Sequence, residues 1–183
     1  MLLPIRVLAA ALLLATSLAT AAPVPPEGEF SDFMARLGSP DPAQQAAVIA
    51  DIQARAGRID PRVLLFLVVT LREQGKAEEA LFWFYAAQLR TRQVLAVTAP
   101  PELRTAATVW LPVPELVRSE FRTDPKVTAP VIQQVLDWDA RTPIDLAWLP
   151  TPPALPEAEW PAAFQSVRES LVRFQAEIVT RVQ

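Results

Sequence analysis

No cysteine and no histidine occur anywhere in the 183 residues, and these two absences exclude more chemistry than any motif in the chain supplies. Without an imidazole or a thiolate there is no Ser-His-Asp or Cys-His nucleophilic site, no thiol redox chemistry, and no histidine or cysteine ligand for a metal. Glycine is nearly as scarce. Gly28, Gly38, Gly57 and Gly75 stand singly, so no glycine-rich loop is present to cradle a phosphate. Charge of one sign never accumulates either: with 17 basic and 20 acidic side chains and no basic run, nucleic acid and anionic lipid are poor partners. What an enzyme could still use is a pair of carboxylates, a serine with a lysine, or an all-oxygen metal site. No cofactor and no metal are expected.

What is present begins with an address. Met1 to Arg6 is a short positive region, Val7 to Leu18 is apolar, and Ala19-Thr20-Ala21 has the small-x-small form of a cleavage site, the layout of a secretory signal peptide. The apolar run is short for a membrane span of about 20 residues, and polar, proline-rich sequence follows at once. An uncleaved anchor is the other reading of this run, and the lack of cysteine excludes a lipoprotein anchor. Cleavage after Ala21 takes 21 of 183 residues and leaves 162, with 16 basic and 20 acidic side chains. That is one domain with one core. An exported chain without disulfides must hold by packing alone, which suits a bacterial periplasm. The expected location is periplasmic or secreted, with no membrane attachment after cleavage.

The densest apolar and aromatic stretch lies from Pro61 to Arg92 and reads as two helices joined at Gly75. Asp60 is placed as N-cap and Pro61 as first helical residue, and Gly75 supplies a left-handed stop. Gly75, Ala80, Phe84 and Ala87, with Leu64, Leu67 and Leu71 on the preceding helix, resemble a tetratricopeptide or Sel1-like hairpin over about residues 61–92. In those families a turn glycine, a small alanine and an aromatic let two helices approach closely, and the arrays bind proteins. Val68 stands where a small residue is usual and Arg92 where a closing proline is usual. No second copy appears at the repeat spacing, and a solenoid needs about three stacked units. The resemblance therefore implies one such hairpin inside a compact domain.

Around it the chain reads as helical throughout. Residues 22–38 form a flexible lead-in and then a helical turn or two, with Phe30, Phe33, Met34 and Leu37, docking on the body. Asp41 and Pro42 open a helix with Val48, Ile49, Ile52 and Ala56 on one face and Gln44 placed to reach back to the cap, and Gly57 closes it. Short helices are expected over Glu102–Leu111 and Pro114–Phe121, and another from Thr128 or Ala129 before Pro130 to Thr142-Pro143. Prolines at 143, 150, 152, 153 and 156 preclude long regular structure, yet Ile144, Leu146, Trp148, Leu149 and Leu155 are interleaved with them. That composition describes an ordered strap over 143–156 lying on the helices. From Pro161, Phe164, Val167, Leu171, Phe174 and Ile178 recur at helical spacing, with Glu169 and Arg173, and Glu177 and Arg181, as surface pairs. The whole is an all-α, single-domain bundle over 39–183, expected to be a monomer.

Candidate sites are few. Asp137-Trp138-Asp139 is an acidic pair beside an aromatic, as glycan-handling sites often need, but two positions apart on a helix the carboxylates diverge. A surface pair flanking a buried Trp138 is the plainer reading. Glu78 and Glu79 complement the dipole at the start of their helix, and nothing brings Lys76 or Lys126 to a serine. Trp83, Trp110, Trp138, Trp148 and Trp160 are core or recognition residues, with Trp148 and Trp160, flanking the strap, placed for exposure. Arg90 and Arg92 either pair an acidic partner or meet a helix C-terminus. The expected function is non-catalytic binding of another protein, of the immunity, inhibitor or adaptor kind, through Trp148, Trp160, Arg90 and Arg92. The competing reading is a cell-wall hydrolase using Asp137 and Asp139.

Overall fold

The computed structural model describes residues 26–99 and 125–180. Six helices and no strand occur among the described residues: α1 Pro26–Leu37, α2 Pro42–Arg55, α3 Pro61–Glu73, α4 Ala77–Thr98, α5 Pro125–Arg141 and α6 Trp160–Thr180, the last entered through a 3-10 turn at Glu157–Glu159. The protein is an all-α bundle. The signal-peptide region, the helices expected over Glu102–Leu111 and Pro114–Phe121, Trp110 and Arg181 lie outside the described residues.

Helix boundaries follow local chemistry. The side chains of Asp41 and Asp60 accept hydrogen bonds from the amides of Ala43 and Arg62, each at 2.9 Å, and a proline occupies the first turn behind each cap. Gln44 does not complete a capping box: its Oε1 accepts from the Ser39 hydroxyl at 3.2 Å instead. At the hairpin turn Gly75 has φ 74°. Its amide donates to the Arg72 carbonyl, and the Lys76 amide to that of Leu71, the paired bonds of a Schellman ending.

α4 is the axis. It packs along α3 and also meets α5 and α6, which pair with each other. Ala80, Leu81, Trp83, Phe84, Tyr85, Ala86, Ala87 and Leu89 are all buried, so this helix is enclosed around most of its circumference, as an apolar stripe of that width requires. Burial pushes the Tyr85 phenol up to about 12. The helix runs about 33 Å at 1.5 Å per residue and ends only before Pro100-Pro101, six residues beyond Arg92.

Three differences from the sequence reading have physical causes. The lead-in over 22–38 is, from Pro26, a docked helix. Phe33 is fully buried, with the guanidinium groups of Arg55 and Arg36 5.2 and 5.9 Å from its ring centroid, while Arg55 also pairs with Glu29. α5 starts at Pro125, ahead of Pro130; that proline stands exposed inside the helix, where it forgoes one helical hydrogen bond. α2 does end at Gly57, with Ala56 as its C-cap, but without a left-handed backbone, since Gly75 alone has positive φ among the described glycines. Gly57 admits the strap: a Cβ there would lie 2.6 Å from the Pro143 carbonyl oxygen and 3.0 Å from Thr142 Cγ2.

The strap is ordered and tied down at both ends. The Asp145 amide donates to the Gly57 carbonyl at 2.7 Å and the Leu155 amide to that of Val97 at 2.9 Å. Leu146 and Leu155 bury themselves against Val97, with Trp148, Leu149 and Trp160 half-buried around them.

Two glycine substitutions and one core truncation test this packing. Gly75→Ala is expected to cost about 1 kcal/mol through backbone strain alone, since nothing lies within 4 Å of its missing Cβ. Gly57→Ala is expected to cost about 1 to 3 kcal/mol through the clash with Pro143 and, in hydrogen exchange, to speed loss of the Asp145 amide; unchanged exchange there would detach the strap from Gly57. Phe84→Ala should cost about 3 to 5 kcal/mol in denaturant unfolding.

Candidate functional site

Four polar side chains meet inside the bundle, one helical turn from the end of the strap. α4 contributes Arg90 and Gln93, α5 contributes Asp139, and α6 contributes Arg168. Asp139 Oδ1 lies 2.9 Å from Arg90 Nη1 and Oδ2 lies 2.9 Å from Arg168 Nη1. Gln93 Nε2 donates to the same carboxylate at 3.1 and 3.3 Å, and Gln93 Oε1 accepts from Arg90 Nη1 at 3.0 Å. Arg90 Nη2 donates to the Thr142 carbonyl, and Arg168 Nη2 to the Leu136 carbonyl at 3.2 Å. Three helices and the start of the strap are thus joined through one carboxylate.

The cluster is desolvated unevenly. The side chains of Arg90 and Asp139 are 2% and 3% exposed, and that of Arg168 is 28% exposed. Burial pulls the Arg90 guanidinium below its ordinary range, Asp139 opposes this, and Arg168 adds to the fall. Arg90 also stacks 4.5 Å over the Trp138 ring centroid, where the electron-rich face supplies part of the stabilisation that water would otherwise give. Trp138 in turn sits edge-on to Phe82 and Trp83 at 6.1 and 5.7 Å.

This arrangement corrects the sequence reading at four residues. Arg90 and Arg92 are buried, so neither is placed on the surface for a partner; Arg90 meets Asp139 inside the bundle and also the C-terminal end of α5, at the Thr142 carbonyl. Arg92 Nη1 bonds to Gln88 one turn back, and burial pulls its guanidinium down to about 10, still protonated at neutral pH. The Asp137-Trp138-Asp139 triplet is not a surface pair around a buried ring. Asp139 is buried, Trp138 is half-buried, and Asp137 is exposed, where it accepts from Gln133 at 2.9 Å. The two carboxylates do not face one site.

The signal that could have found the cluster is a register one. Asp139 follows Val131, Ile132, Val135 and Leu136 at core spacing, and Arg90 continues the stripe of Trp83, Ala86 and Ala87. Charged residues in a core register must be partnered.

Trp148 and Trp160 are half-buried and hold the strap: the Trp160 indole Nε1 donates to the Leu155 carbonyl at 2.8 Å. Glu78 and Glu79 do lie in the first turn of α4, and Glu79 also accepts from Gln53 at 2.6 Å. What the sequence reading missed lies on α3. Seven unbroken apolar residues leave both sides of that helix apolar, and only one side meets the core. Leu65, Phe66 and Val69 remain 39%, 48% and 49% exposed. Phe66 packs edge-on against Phe30 of α1 at 5.9 Å, and Arg62 lies 4.9 Å over the same Phe30 ring.

No family model, curated protein or solved structure matches the chain. Among the described residues, no helix is long and apolar enough to cross a membrane, and no group of three acidic side chains is placed to hold a metal ion.

The carboxylate at the centre of the cluster yields a contrast. Asp139→Asn leaves two guanidinium groups without their counter-charge and should cost about 3 to 5 kcal/mol, whereas Asp137→Asn on the exposed side of the same helix should stay within about 0.5 kcal/mol. Equal effects in chemical denaturation would remove Asp139 from its structural role.

Proposed function

We propose that this chain is an exported, non-catalytic helical protein that binds another protein in the periplasm, as an immunity, inhibitor or adaptor module working as a monomer. The observation that carries this reading is the outward face of α3. Leu65, Phe66 and Val69 form a contiguous apolar strip, continued by Phe30 and bordered by Arg62. Such strips are uncommon on monomers unless something covers them. Its makeup, aromatic and aliphatic anchors beside an arginine, is that of an interface centre. Its place on the first helix of the hairpin agrees with the resemblance to protein-binding helical repeats. The export reading rests on the sequence before Pro23 and on a core built without disulfides.

Trp148 and Trp160 belong to this proposal in a lesser role, since both are half-buried and committed to the strap. A carboxylate hydrolase draws no support from Asp137 and Asp139, which diverge.

Affinity capture from periplasmic extract with the mature protein tests the reading. One stoichiometric partner is expected. It should be lost on Phe66→Ser, since truncating a central anchor costs about 2 kcal/mol or more of binding, while the melting temperature stays native. Trp148→Ala should retain it. Capture unaffected by Phe66→Ser would sink this surface, and no captured protein at all would sink the binding role.

A further inference from the structure

Beside the Arg90 and Asp139 pair, α4, α5, the first residues of the strap and the opening turns of α6 enclose a cleft of about 190 Å³. That is roughly six water volumes. Its polar wall is made by Arg90, Gln93, Asp139, Arg168 and Gln165, and its apolar wall includes Ile144 and Phe164.

Charge within it does not balance. Two guanidinium groups face one carboxylate, and Arg168 forms no ion pair with a second acid among the described residues. The neighbouring Glu169 accepts from Gln165 instead, at 3.1 Å. Donors exceed acceptors as well. The Arg90 Nε is buried with no hydrogen-bond partner, and Arg168 commits only Nη1 and Nη2, to Asp139 and Leu136. The two arginines also disfavour each other electrostatically. The Arg90 Nε is closed off from the cleft, but the surplus positive charge reaches it through Arg168, whose side chain is 28% exposed, and a single bound anion there would balance it. A planar monoanion matches the guanidinium fork and one unit of surplus charge better than a phosphate dianion does. The apolar wall suits a short methylene chain attached to it.

We propose that this cleft binds a carboxylate, recognised by Arg168 with the Arg90 charge behind it, with Gln165 at its mouth and the chain carrying the carboxylate lying against Ile144 and Phe164. The carboxylate comes either from a free short-chain acid or from a glutamate or aspartate of a protein. The site is separate from the apolar face proposed above, because α3 touches neither α5 nor α6; one can fail without the other.

The test is a nuclear magnetic resonance titration of the full mature chain, following the Nε–H signals of Arg90 and Arg168 and the indole N–H of Trp138. The probes are sodium glutarate, a blocked pentapeptide with one central glutamate, and sodium chloride at matched ionic strength. Saturable movement of the arginine signals is expected with a carboxylate probe and not with chloride. Saturation by glutarate assigns a free acid; saturation by the peptide alone assigns a protein carboxylate. Arg168→Gln should abolish the response but disturbs the cluster itself, so Gln165→Glu is the decisive variant. Gln165 is exposed, and a negative charge there should weaken binding at least about tenfold by repulsion while the Trp138 signal stays native. No saturable response, a response shared with chloride, or one indifferent to Gln165→Glu overturns the proposal.

Discussion

A long helix enclosed on nearly every side is the constraint on which this fold depends. α4 lies against α3, α5 and α6, so almost any polar group on it is carried out of water. A buried arginine without a partner would cost several kcal/mol, far more than a small domain's margin of stability can absorb. Arg90 is tolerable because α5 brings Asp139 to it and lays Trp138 over its face, Gln93 accepts from it, and the chain just past α5 brings the Thr142 carbonyl. Those contacts fix α5 and the start of the strap relative to α4, and Arg168, on the other oxygen of Asp139, ties α6 to the same carboxylate. The cluster therefore defines how the second half of the bundle docks, more than it adds to net stability, since a buried ion pair roughly offsets its own desolvation.

The two halves of the bundle are held by different physics. α1, α2 and α3 meet through apolar contacts centred on Phe33, Ile52 and Leu64, sealed at the edge by Arg36, Arg55, Asp51 and Glu29. These surface pairs are partly solvated and contribute little individually. α5 and α6 join α4 through both apolar packing and the internal charges. The strap then closes the seam by four backbone or side-chain bonds, to Gly57, Val97, Arg90 and Trp160. The proline-rich stretch cannot form regular ladders, so its polar backbone groups need such specific acceptors and donors.

The helical class, the caps at Asp41 and Asp60, the left-handed turn at Gly75, the hairpin and the ordered strap were legible in the sequence, because each rests on chemistry confined to a few neighbouring residues. What was not legible depended on residues far apart. Asp139 read as a surface acid since nothing local names Arg90 or Arg168 as its partners, and Gly57 read only as a helix stop, without its second role of admitting the strap, since the chain passing over it comes 86 residues later. The exposed side of α3 was hidden for a different reason: an uninterrupted apolar run marks a helix as buried without saying which of its faces lacks a neighbour. The extension of α4 past Arg92 was masked by treating the arginines as terminal, when their aliphatic stems pack as readily as leucine.

The bond from Arg90 to Thr142 closes a loop of 52 residues, while α3 and α4 meet across a three-residue turn. Loop-closure entropy rises with the length enclosed, and contacts of short sequence separation are reached first. The hairpin is thus the part of the chain able to form while the rest is still open. The charge cluster acts as the closing inspection: a chain that docks α5 out of register leaves Arg90 buried without its counter-charge, at a cost of about 3 to 5 kcal/mol that penalises the misassembled form.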